Sequence, residues 1–158
     1  MKEILIAQYA MVRDSRAVLF DYCDAISAEH FVYTHPGFGR GGSVRSLLIH
    51  ICNCYEGWIT KRVMKRPFES AGLESLNSVS EVRTWANKID DIVNEFIDLF
   101  DGKFQQNITI PFFGDDTITT TPLHLFTHVI THEYHHKGQI LSLSRQLGYT
   151  PVDTDILR

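Results

Sequence analysis

Five of the chain's eight histidines, His124, His128, His132, His135 and His136, fall within thirteen residues. His132 and His136 stand four apart, so on a helix their Cβ atoms lie about 5–6 Å from one another. Imidazole nitrogens placed that way converge on one divalent ion at about 2.0–2.1 Å. A third ligand must then come from another helix, and His50, one turn from Leu47 and from Cys54, is the candidate. Three neutral imidazoles leave coordination positions open, which marks a catalytic rather than a structural site. Such an ion can lower the pKa of a bound water towards about 7 and so drive hydrolysis. It can equally hold a thiol as its thiolate. The competing reading is three inert histidines, but each would need hydrogen-bond partners in an apolar sector, because buried polar groups without them are costly.

The helix carrying these residues distinguishes among them. With Leu123 at zero and about 100° per residue, Leu125, Val129, Ile140, Leu143 and Leu147 fall between about 200° and 260° and define the expected buried face. His132 at about 180° and His136 at about 220° lie in that sector, whereas His128, His135 and His124 lie progressively outside it. His132, Glu133 and His136 also spell H-E-x-x-H, the zinc-protease signature in which the glutamate is the general base. No His or Glu follows His136, so the third ligand common to that signature is missing. His128, Glu133 and Tyr134 are the candidates for proton transfer or for orienting the ligating imidazoles, whose second nitrogen needs a partner.

Four amphipathic stretches must position these groups. The first places Leu5, Tyr9, Val12, Leu19, Cys23 and Ile26 at helical spacing, broken by Arg16. Ser43 caps the second, with Val44, Leu47, Ile51, Tyr55 and Trp58, which ends before Pro67. Ser78 or Ser80 caps the third, from Val82 to Leu99, which stops at Asp101 and Gly102. The fourth opens with Thr121 as cap and Pro122 at the first helical position and runs to Leu147 before Gly148. Asn107–Ile110 and Thr117–Thr120, β-branched runs around a Gly-containing turn, predict a short hairpin between helices three and four. The expected fold is therefore all-α, a single-domain four-helix bundle over residues 1–158, with the loops Glu29–Gly42 and Val63–Asn77 bordering a site.

Other motifs carry less. Gly37, Gly39 and Gly42 spell G-x-G-x-x-G, but Pro36 interrupts what precedes it and no second strand follows until about residue 107, so the segment reads as a flexible loop rather than a dinucleotide site. Cys54 could face the metal, although a small buried thiol is the commoner role, and Cys52-x-Cys54 is no redox motif. Lys61, Arg62, Lys65 and Arg66 read as a solvated helix end, with an anionic substrate as the alternative.

Composition sets the outer bounds. With 44% hydrophobic and 22% charged residues the chain can bury a core. A net charge of −4 argues against a nucleic-acid-binding domain. Three cysteines make no disulfide framework, no start resembling a signal peptide is read, and no apolar run reaches the roughly 20 residues of a membrane span, so a cytoplasmic protein is expected.

Leu47, Leu48, Ile49 and His50 with Trp58, and above all the run His128–Ile140, are similar to motifs of the DinB/YfiT-like family of metal-dependent four-helix proteins. Leu147, Gly148, Tyr149, Thr150 and Pro151 resemble that family too, while Lys137 stands where it very often has Arg. The resemblance implies an up-down-down-up bundle, frequently a homodimer, holding a divalent ion (zinc, nickel, iron or manganese) on His50, His132 and His136. It also implies a small-molecule substrate, with a low-molecular-weight thiol activated for transfer to an electrophile. A hydrolase using metal-bound water and a non-catalytic stress-response metal-binding module are the alternatives.

Overall fold

The computed structural model of the protein describes residues 1–158. Helix α1 (Lys2–Asp24), helix α3 (Val44–Tyr55), helix α4 (Val79–Leu99) and helix α5 (Pro122–Gln146) form a bundle around one hydrophobic core. A five-residue helix α2 (Ala28–Val32), capped by Ser27, forms within what reads from sequence as loop. Strands β1 (Ile108–Pro111) and β2 (Thr117–Thr120) pair antiparallel, Ile108 opposite Thr120, as the hairpin between α4 and α5.

The helix starts follow side-chain chemistry. Ser43 and Ser46 form a reciprocal capping box on α3, Ser78 caps α4, and Thr121 caps α5 with Pro122 in its first turn. Gly148, with φ 92°, supplies the left-handed residue just after α5. The helix begun by α3 continues past Tyr55 as a π-helical segment over Glu56–Val63, a geometry that often marks functional sites and that amphipathic spacing does not reveal.

Arg16, the break in the apolar spacing of α1, is buried and joins the helices. Its guanidinium grips Glu133 of α5 with two hydrogen bonds, at 3.0 and 2.8 Å, and donates to Asp90 of α4 at 2.7 Å. Tyr55 donates to Glu133 at 2.7 Å, Tyr9 to Asp90 at 2.8 Å, and Lys137 lies 3.3 Å from Glu133. Lys137 also donates to Ser15, which donates to the carbonyl of Thr154 and ties down the C-terminal segment. Charges this deep persist only when paired and hydrogen-bonded, and here each has at least two partners. Despite burial, the Arg16 guanidinium holds the Glu133 carboxyl below its ordinary pKa.

This network shifts the buried face of α5 from where the aliphatic residues put it. Phe126, Ile130, Glu133, Lys137 and Ser144 are also buried, so the sector extends to about 340° and centres near Glu133. His132 and His136 sit on its edge, His132 half-buried and His136 4% exposed. A ligand at the boundary between core and cavity can be rigid and still reach solvent on one side.

Candidate metal centre

His50 and Cys54 lie one turn apart on α3, and Trp58 follows another turn on, within the π-helical segment. The face they share meets the histidine edge of α5. Nitrogens of His50, His132 and His136 all lie within 4.8 Å of one another. The Nε2 atoms of His132 and His136 are 3.2 Å apart, and the His50 ring centroid is 4.9 and 4.7 Å from those of His132 and His136.

Hydrogen bonds fix which nitrogen of His136 is bare. Its Nδ1 lies 2.7 Å from Oε1 of Gln139. An amide oxygen only accepts, so Nδ1 carries the proton and Nε2 presents a lone pair towards His132. The Gln139 amide nitrogen in turn points at Nε2 of His135, 3.3 Å away. His50 Nε2 and His132 Nδ1 are buried without any partner.

These residues fit a divalent ion. Two nitrogens 3.2 Å apart, each about 2.05 Å from one ion, subtend about 100° there, within the range of tetrahedral or octahedral ligation. Burial, reinforced by mutual repulsion, pushes His132 down to about 3, and burial with His136 and Arg40 nearby pushes His50 down to about 4. Burial lowers His136 as well. All three imidazoles are therefore neutral near pH 7, the state in which they ligate.

A cavity of about 530 Å³ opens beside the cluster, walled by His50, His132, Cys54, Trp58 and His128 among others. Both loops that the sequence places at a site border it, Glu29–Gly42 through Arg40 and Val63–Asn77 through Ser70, Ala71 and Leu73. The second loop is pinned by two hydrogen bonds, each 2.9 Å, between the Asn53 side chain and the backbone of Ala71. The hairpin tip supplies Phe113, and Phe112 packs 6.1 Å from Trp58, centroid to centroid. Arg62 stacks on Trp58 at 4.6 Å while donating to the carbonyls of Gly57 and Phe112.

The three candidates for proton transfer separate in space. His128 lines the cavity, its ring 5.8 Å from that of His132 and 5.1 Å from that of Trp58. Glu133 follows His132 directly in sequence but its carboxylate is fully buried among Arg16, Tyr55 and Lys137. The Tyr134 ring lies under the Lys137 ammonium at 4.0 Å. Neither carboxylate nor phenol faces the cavity, because residues one and two steps along a helix from His132 turn by about 100° and 200° away from it. The general-base role that H-E-x-x-H suggests for Glu133 is thereby corrected: its carboxylate holds helices together. Cys54 lines the cavity, but burial pushes its thiol up to about 12 and it is not one of the converging ligands.

Arg40, Phe112, Phe113 and Gln139 escape a reading by spacing. Only for Gln139 was there a signal, its position three residues after His136 on the same helical face. No helix is long and apolar enough to cross a membrane. A family model described as "DinB family" matches residues 1–158, and no curated protein matches the chain.

Proposed function

The chain belongs to the DinB family, and from that premise and its histidine geometry we propose that it is a divalent-metal-dependent enzyme. Its preferred reaction is the transfer of a low-molecular-weight thiol to an electrophilic small molecule. The observation that carries this reading is the convergence of three neutral imidazoles within 4.8 Å of one another, two of which, His50 and His132, stand in the wall of an open cavity. His50, His132 and His136 would hold the ion. When bound, the ion would favour the deprotonated form of a thiol reaching the cavity.

The chain's own residues then do the rest. Gln139 keeps the lone pair of His136 Nε2 directed inward. Trp58 and Phe113 cover part of the cavity and keep water from the reacting sulfur. His128, the one proton-transfer candidate in the cavity wall, takes the thiol proton and passes it to solvent. A sulfur–carbon bond forms on the electrophile as its bond to the leaving group breaks, and the leaving group departs with the electron pair.

Tag-free protein purified with zinc tests the reading, using cysteine as thiol and monochlorobimane as electrophile. The expected result is about one zinc per chain and a zinc-dependent rate of bimane adduct and chloride formation. Both should be lost in His132→Ala and His136→Ala. Metal content unchanged in both variants would end the metal assignment. Stoichiometric zinc with no acceleration of this reaction, but with water-dependent cleavage of ester substrates, would replace thiol transfer by hydrolysis.

A further inference from the structure

The chain is acidic overall, with a net charge of −4, yet the wall of the metal cavity contains no carboxylate and two arginines, Arg40 and Arg62. Arg62 is committed to the wall itself: its two terminal nitrogens donate to the carbonyls of Gly57 and Phe112, and its Cζ lies 4.6 Å from the centroid of the Trp58 ring. Arg40 has no such commitment. Its guanidinium takes no partner within the chain, unlike Arg66, paired with Glu95, or Arg83, which reaches Asp21 and Asp24.

The backbone goes to some trouble to put Arg40 there. Arg40 has φ 57°, a left-handed conformation that non-glycine residues rarely adopt. Gly41 and Gly42 follow with φ 85° and 62°, and a Cβ on Gly42 would stand 2.5 Å from the carbonyl oxygen of His35. The loop is closed by hydrogen bonds from the His35 amide to Gly42 and from the Gly42 amide to Gly39. Local strain of this kind persists where surrounding contacts impose it and is frequent at ligand clamps.

A second, apolar groove of about 310 Å³ adjoins the cavity and shares Trp58, Phe113 and His128 with it, adding Phe112, Ile118 and Leu125. Five of its eight lining residues are hydrophobic. A cationic cavity and an apolar annex joined through one aromatic wall define a ligand with two matching parts. We propose that the site takes a small organic anion, its apolar body against Trp58, Phe112 and Phe113 and its carboxylate or phosphate group on Arg40. This assignment rests on the reading of the cavity as the place where substrate meets the metal, and it names that substrate's class. In a field set by arginines and a divalent ion, with no carboxylate in the wall, anions are attracted and cations are excluded.

Zinc-loaded protein is titrated with 4-phenylbutanoate, with the isosteric neutral 4-phenylbutanamide and with 3-phenylpropylphosphonate, binding being read calorimetrically and zinc content measured on the same samples. The same titrations are run on Arg40→Asn, because asparagine tolerates the left-handed backbone better than most residues. At least one anion is expected to bind about tenfold more tightly than the amide, and Arg40→Asn to erase most of that preference without changing zinc content. Preference for the phosphonate assigns a phosphate ligand, and preference for the butanoate a carboxylate. Equal binding of acids and amide overturns the proposal, as does an anion preference that survives Arg40→Asn, since the ion alone would then hold the anion. Zinc bound without any anion preference sinks this proposal and leaves the metal reading standing. An Arg40-dependent preference in protein that binds no zinc does the reverse.

Discussion

Replacing Gln139 by Ala removes the acceptor that fixes the tautomer of His136, a proposed metal ligand, while leaving all three of the proposed ligands in place. Oε1 of Gln139 lies 2.7 Å from His136 Nδ1, short for an N–H···O hydrogen bond, and His136 is 4% exposed, so few waters can substitute. Without that acceptor the ring is free to move its proton to Nε2, the nitrogen that faces His132, and the ring plane loses one restraint. Loss of such a partner typically costs about 10–100-fold in metal affinity. Competition between the protein and a chromophoric zinc chelator measures the change. Gln139→Glu keeps an acceptor and adds charge, so it should bind zinc at least as tightly as the wild-type chain. Thermal unfolding of the metal-free proteins separates the ligand effect from a packing effect, because Gln139 is only half-buried and Ala should leave that transition nearly unmoved. Wild-type zinc affinity in Gln139→Ala would refute the claim that this amide orients the ligand.

Two further outcomes follow from the buried charges and histidines. Arg16→Met leaves Glu133 and Asp90 with incomplete partners in the core, and urea unfolding should register a loss of about 3–5 kcal/mol; a loss below about 1 kcal/mol would mean the network is not the tie between α1, α4 and α5. In metal-free protein, His50 and His132 have pKa values of about 4 and about 3 against about 6.5 in an unfolded chain. The unfolded chain then binds more protons in that interval, so their contribution is complete above about pH 6.5 and is lost as pH falls from there towards 4 and 3. The urea midpoint should drop between pH 7 and pH 4.5, and less so in a His50→Gln, His132→Gln double variant; equal drops would refute the assignment.

The sequence and the fold agree wherever information is local. Helix starts at Ser43, Ser78 and Thr121, the turn residues of the hairpin and the amphipathic spacing of four helices are all carried by residues within one or two turns of each other. The pairing of His132 with His136 is of the same kind. The disagreements come where a residue's role is set by a partner far along the chain. Arg16 breaks the apolar pattern of α1 only until Glu133, 117 residues away, is brought to it. Glu133 itself looks like a general base beside two ligands, and becomes a core ion-pair partner because the buried sector of α5 is wider than its aliphatic residues suggest.

What the amino-acid order alone determined, then, is the set of helices and the presence of closely spaced imidazoles able to share an ion, since both depend on the fixed periodicity of a helix. Which face of α5 is core, that His50 meets His132 and His136, that Arg40 is held at the cavity by a left-handed turn, and that the hairpin tip lends Phe112 and Phe113 to the cavity and its annex were decided in three dimensions. The physical reason is that burial, charge pairing and cavity shape are properties of juxtaposed segments, and no spacing rule within one segment encodes the partner that completes it.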